Sequence, residues 1–343
     1  MLYGFRAGPD PALGLVSDDF TGTRAAWGLT PGTAPIGRAF PNGASIGTSH
    51  TPGQVVTKMQ NAAAPVLAAG MWPYLSLKPN VADTIAGRLD AHLTAVGRWA
   101  AGLGVPLYFS PWHEPENDPM GAAASDYLGR ARNFVAMCTR VYEVLHAAAG
   151  DAVLVGPCHM GYQWRPGSAT TADGAVAAAW RVADNAADFY ACDTYTSNWS
   201  WETGQGLRDK ADFQRWLRLI DPPAGSVVLA ERGISRNYPD VPDGPAAQAG
   251  VLFDDGAYLT SIDAHALMYW NSGGATDDSV FQLGEPGRGV FALLARAATE
   301  PEPPADRYQE GYDTGYAAGT LAGRADAFGE AAAWCTSQIN TAG

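Results

Sequence analysis

Eight short apolar runs recur along this 343-residue chain, and most are followed by a stretch with helical spacing. The runs are LYGF (2–5), IGRAF (36–40), WPYLSL (72–77), PLYFS (106–110), AVLVGP (152–157), DFYAC (188–192), SVVLAE (226–231) and AHALMYW (264–270). Helical patterns fill 82–104, 126–150, 210–220, 246–262 and 289–298, with a weaker one around 174–186. In the first of them Ile85, Leu89, Leu93, Val96 and Trp99 return at three- and four-residue steps. Regular strand–helix alternation implies a parallel sheet covered by helices, and strands buried in that way read as continuous apolar runs. Eight such units over about 300 residues predict an α/β chain folded as a (β/α)8 barrel. A doubly wound open sheet would want a glycine-rich phosphate loop after an early strand, and the first run leads into RAGPD instead.

The pattern changes after residue 299. EPEPPADR is a proline-rich acidic linker (300–307), and from 308 to 343 glycines fall at 311, 315, 319 and 323 and tyrosines at 308, 312 and 316. Steps of four place each series along one side of a helix. The expectation is a catalytic barrel at 1–299 followed by a helical extension, with 308–334 serving self-association or docking on a virion partner. Charged residues interrupt the glycine stripe, which argues against pairing within a membrane.

A formal net charge of −13 disfavours nucleic acid and anionic membranes as partners, since phosphates require Lys and Arg. The N-terminus MLYGFRAGPD lacks a basic region followed by a long apolar run, so no secretory signal is expected. The four cysteines are scattered without metal-ligand spacing, and three lie in apolar runs that suit buried thiols. The histidines form no HExxH, and neither a metal nor another cofactor is expected.

In a (β/α)8 barrel the chemistry collects at the carboxyl ends of the strands. The residues there are Arg6, Arg38, Lys78, Trp112-His113-Glu114, His159, Asp193, Tyr195, Glu231-Arg232 and Trp270-Asn271. Glu114 follows the fourth strand and Glu231 the seventh, so a closed barrel sets them across from one another. Two facing carboxyl groups suffice to cleave a glycosidic bond if their surroundings drive their proton affinities apart. Arg232, Arg38 or Arg6 would keep Glu231 ionised, and Trp112 with nearby apolar surface would favour protonated Glu114. Glu116 competes with Glu114 for the acid's role. Trp199 and Trp201, in NWSWETGQG, offer flat faces on which sugars stack.

HEP at the fourth strand and AERG at the seventh resemble clan A of the glycoside hydrolases, the retaining β-glycanase barrels. His113 stands where most of that clan has asparagine, which is similar to family 26, the β-mannanase group. The resemblance implies Glu114 as acid/base, Glu231 as nucleophile, Tyr195 as a hydrogen-bond partner of the nucleophile and Trp270 as the aromatic floor under the sugar. It implies double displacement with carboxyl groups about 5–5.5 Å apart. His113, His159, Trp112 and Arg38 complete the expected substrate-binding set, and the expected partner is a polysaccharide or oligosaccharide. Two other functions fit parts of the pattern: a non-catalytic carbohydrate-binding barrel, and a metal-dependent hydrolase of the amidohydrolase kind. The glycine-stepped tail and proline-rich linker resemble segments of bacteriophage structural proteins. A virion-associated enzyme acting on bacterial envelope glycan is therefore expected alongside an extracellular or a cytoplasmic one.

Overall fold

The computed structural model describes residues 1–196, 206–236, 244–272 and 281–299. Nine strands form its main sheet: β1 (Leu2–Ala7), β2 (Ile36–Arg38), β3 (Trp72–Ser76), β4 (Leu107–Ser110), β5 (Val153–Val155), β6 (Cys158–Met160), β7 (Tyr190–Thr196), β8 (Val227–Ile234) and β9 (Ala266–Asn271). All pair in parallel, in the order β5-β4-β3-β2-β1-β9-β8-β7-β6.

β5 and β6 are two halves of one barrel position. β5 pairs with β4 and β6 pairs with β7. The intervening Gly156–Pro157 carries the ladder across, with Gly156 N–H donating to Phe109 O at 3.0 Å and Ala191 N–H donating to Pro157 O at 2.8 Å. The sheet therefore closes into a ring of eight positions. Gly156 suits this seam because a Cβ there would lie 2.2 Å from Phe189 O. The second half was not among the eight runs read from sequence, since Gly-Pro marks the end of a strand in most settings.

The ring divides the apolar side chains into two bodies. Ile36, Tyr74, Tyr108, Cys158, Ala191, Val228, Ala230, Ala266 and Met268 fill the barrel's interior together with Phe189. Alternate residues on the same strands, among them Leu75, Phe109, Val155, Cys192, Leu229 and Leu267, face outward into the larger core under the helices. Burial of each large apolar side chain contributes about 1.5–3 kcal/mol. The covering helices include α1 (Phe20–Ala26), α2 (Pro52–Ala68), α3 (Val81–Ile85), α4 (Asp90–Ala101), α5 (Tyr127–Ala149), α6 (Ala175–Ala179), α7 (Ala211–Ile220), α8 (Gly244–Ser261) and α9 (Gly287–Ala297). The helix expected over 82–104 is two helices, because Gly87 takes φ +75° and turns the chain between α3 and α4. No described helix is long and apolar enough to cross a membrane. Cys138, Cys158 and Cys192 are buried free thiols. The linker, the glycine-stepped tail, Cys335, Trp199 and Trp201 lie outside the described residues.

Candidate active site

Side chains on a strand alternate between the two faces of the sheet. The inward column continues above the apolar interior with Arg38 on β2, Ser76 on β3, Ser110 on β4, and Asp193 and Tyr195 on β7. β8 breaks its alternation. Its register slips between Leu229 and Glu231 against β7, and between Leu229 and Arg232 against β9, which is the signature of a bulge at Ala230. Ala230 and Glu231 consequently both face inward, and Arg232 is turned out. Arg232 Nε donates to Asp255 Oδ2 of α8 at 2.7 Å, so it is not the partner of Glu231 that the sequence suggested. Arg6 is likewise engaged elsewhere, with Asp18.

Arg38 is the cation that serves Glu231. Fully buried, it donates from Nη2 to Glu231 Oε1 at 3.4 Å and from Nη1 to Ser76 Oγ at 2.8 Å. Its guanidinium lies 4.3 Å from the ring centres of both Phe40 and Tyr74, a cation–π sandwich that fixes it. Tyr195 donates its hydroxyl to Glu231 Oε2. His113 Nε2 lies 3.3 Å from Glu231 Oε1, 3.3 Å from Asp193 Oδ2 and 3.9 Å from Glu114 Oε1. One imidazole nitrogen is thus common to all three carboxyl groups. The two glutamates of the fourth and seventh barrel positions meet around it, which leaves room for the separation of about 5–5.5 Å of a retaining pair. Trp270 and Phe40 complete the wall: the Phe40 ring is 5.3 Å from His113 and 5.9 Å from Trp270, and Tyr195 is 6.4 Å from Trp270.

The electrostatics separate the three acids. Burial pushes Glu231 up, but His113, Arg38 and the Tyr195 hydroxyl outweigh it and hold the carboxyl below its usual range. Burial pushes Glu114 up, His113 and Asn117 oppose it, Glu231 and Glu116 add to it, and the net direction is upward. Asp193 is raised well above the usual carboxylate range, by burial first and the charge of Glu231 second. His113 is itself disfavoured as a cation by burial, yet Glu231 and Asp193 raise it to about 9. The surroundings therefore favour the ionised form of Glu231, shift Glu114 and Asp193 toward the protonated form, and favour the imidazolium of His113 between them.

His113 also links this site to stability. Its folded value lies above the ordinary ~6.5 of an unfolded histidine, so its contribution is complete below about pH 6.5 and is lost as pH rises through about 9. Melting curves between pH 6 and 10 are expected to show the wild type losing its advantage over His113→Asn across that window. A constant difference at every pH would contradict the charged state of His113.

The other residues read from sequence stand elsewhere. Strand pairing continues through Met160, so His159 is inside β6 rather than beyond a strand end, and its side chain faces outward. It is fully buried among Phe134, Trp164, Trp180 and Trp216, with Nδ1 2.7 Å from Glu116 Oε1. Glu116 is 1% exposed and turned away from the cluster, so it does not share the site of Glu114. Trp112 donates its indole N–H to Asp118 Oδ2 at 2.9 Å, and Lys78 reaches the same oxygen at 2.8 Å. Phe40 belongs to the site but was not singled out, and Asp193 was read at a strand end without a role. Strand parity relative to Arg38 and Tyr195 was the signal that could have found them.

A metal must be considered, because donor atoms of His113, Asp193 and Glu231 all lie within 4.8 Å of one another. The surroundings do not suit a cation. Arg38 and Tyr195 already occupy the two oxygens of Glu231, and binding would have to expel the His113 proton beside a buried guanidinium.

Structures of the same shape have been solved. A fungal β-1,4-galactanase superposes with a TM-score of 0.58 over 86% of this chain and 99% of its own, at 12% identity. A GH5 xyloglucan-specific endo-β-1,4-glucanase from a metagenomic library, in complex with cellotriose, gives 0.54 over 81% and 87% at 13% identity. A Bacteroidetes-affiliated GH5 cellulase linked with a polysaccharide utilization locus gives 0.53 over 91% and 94% at 14% identity. The fold is a (β/α)8 barrel. No protein-family model and no curated protein sequence matches the chain.

Proposed function

We propose that this protein is a retaining glycoside hydrolase that cleaves a polysaccharide or oligosaccharide by double displacement. The observation that carries the reading is that Glu114 and Glu231 meet around His113 Nε2, at 3.9 and 3.3 Å, in surroundings that move their proton affinities in opposite directions. In the first step a Glu231 oxygen attacks the anomeric carbon as the bond to the leaving oxygen breaks, and the Glu114 proton passes to that oxygen. In the second, Glu114 takes a proton from water as the water displaces Glu231. Arg38 and Tyr195 keep the nucleophile ionised and oriented, and Trp270 with Phe40 supplies the apolar wall against which a sugar face packs. The solved structures of this shape named above are glycanases by name, which supports the same chemistry here.

A purely carbohydrate-binding barrel has no use for carboxyl groups driven apart in this way. A metal-dependent hydrolase would need the cluster that Arg38 and His113 spoil. A virion-borne setting, with bacterial envelope glycan as substrate, rests on the sequence of the tail.

The test is a screen of plant and bacterial envelope polysaccharides, with wild type and the Glu114→Ala and Glu231→Ala variants. Hydrolysis is expected from the wild type alone, unchanged by a chelator, with the product's anomeric configuration retained when followed by NMR. Inverted product would exclude the covalent step. Loss of activity in chelator would favour the metal reading.

A further inference from the structure

Glu114 has φ 55° and ψ 56°, the left-handed region, immediately before the turn Pro115–Asn117. A non-glycine residue held there is strained and persists only where its surroundings over-determine it. The surroundings here are built on Glu116. Its Oε1 accepts from His159 Nδ1 at 2.7 Å and Trp164 Nε1 at 2.8 Å, and its Oε2 accepts from Met160 N–H at 3.0 Å. Arg130 of α5 donates to the backbone carbonyls of Glu116 and Asp118, on either side of Asn117. Asn117 then carries the order to the site: its Nδ2 donates to Glu114 Oε2 at 3.3 Å, and its Oδ1 accepts from Gln163 Nε2 at 2.8 Å. A reversed Asn117 amide would set its oxygen against the carboxyl oxygen of Glu114, so Gln163 selects the orientation.

We propose that Glu116 and Asn117 are positioning residues for the general acid: Glu116 fixes the turn to β6, and Asn117, aimed by Gln163, leaves Glu114 Oε1 as the oxygen that delivers the proton. The inference rests on the glycosidase reading above. As the glycosidic C–O bond breaks, the proton moves from Glu114 Oε1 to the leaving oxygen, which departs as a neutral alcohol while Glu231 bonds to the carbon. Glu114 is then a carboxylate, and the bond from Asn117 to Oε2 strengthens because a donor favours the charged form. That interaction grows along the reaction coordinate, which is what accelerates a step. In the second step a water proton returns to Oε1.

The charged and titratable groups whose fields reach Glu114 are His113 from the loop after β4, Glu116 from its own turn with its carboxyl pointed away, Asp193 and Tyr195 from β7, and Glu231 from β8. Removing either positioning residue alters that field in opposite senses, which a merely structural role would not do. Asn117→Ala deletes a donor that favours ionised Glu114, so the basic limb of the kcat/KM profile is expected to move to higher pH. Glu116→Gln deletes a neighbouring negative charge, so the limb is expected to move to lower pH. With poor leaving groups, kcat should fall about 10-fold or more in both variants at little-changed KM, the scale of a misplaced acid. Aryl glycosides with acidic phenols should lose far less. Asn117→Ala and Gln163→Ala remove exposed hydrogen bonds and should melt with the wild type, so the proposal stays testable even if Glu116→Gln fails to fold.

Basic limbs moving in the same direction overturn the proposal, as does Asn117→Ala with wild-type kcat on poor leaving groups. An active wild type silenced by Glu114→Ala, together with either of those results, removes this inference and leaves the glycosidase reading standing. A wild type inactive on every glycan removes both.

Discussion

Glu231→Gln is expected to lower kcat/KM by on the order of 10⁴-fold or more, the scale seen when a group essential to a covalent mechanism is removed. The substitution keeps the side chain's shape and one acceptor oxygen for Tyr195 or Arg38, but abolishes the negative charge that attacks the anomeric carbon. Binding should survive, because the wall formed by Phe40 and Trp270 is untouched. Calorimetry with an oligosaccharide substrate would then give a Kd for the variant in the presence of negligible turnover. In the wild type, a 2-fluoro glycoside with a good leaving group should add one sugar mass to the peptide that contains Glu231. Activity within 10-fold of wild type in Glu231→Gln, or a label on another peptide, would remove Glu231 from the chemistry.

Glu114→Ala should show a loss that depends on the leaving group. General acid assistance contributes about 10²–10⁴-fold, so turnover of a natural glycan should fall by that factor. Aryl glycosides with acidic phenols need no such help, and their first step should proceed nearly as fast as in the wild type. The glycosyl-enzyme then accumulates, since no base activates water. Azide, which needs no base, should restore turnover and yield a glycosyl azide with the substrate's configuration. Equal losses on both kinds of substrate, with no azide rescue, would mean that Glu114 supports the structure rather than the proton transfer.

The barrel was legible because its strands are uninterrupted apolar runs and its helices have clear spacing. The positions proposed for the acid and the nucleophile were legible because Glu231 ends such a run and Glu114 closely follows one. What escaped was parity. Bulging at Ala230 reverses which of Glu231 and Arg232 faces inward, and nothing in SVVLAERG announces an extra residue. Pairing that resumes after Gly156–Pro157 puts His159 inside a strand and on its outer face, where its side chain joins the aromatic core. Glu114 and Glu116 are indistinguishable by type and nearly so by position. Only the left-handed backbone at Glu114 and the three donors around Glu116 assign one to the cluster and the other to the scaffold. Long-range contacts determine each of these, and no local window of sequence contains them.

The last seam of the ring joins Leu2–Ala7 to Ala266–Asn271, segments separated by most of the chain. Closing so long a loop is entropically slow, and no neighbouring contact along the sequence assists it. The two glutamates belong to opposite arcs of that ring, and each arc can be well ordered before the seam is sewn. A half-assembled protein would accordingly display its helices and much of its core while the two carboxyl groups stayed unpaired, so the proposed chemistry belongs to the finished hoop alone.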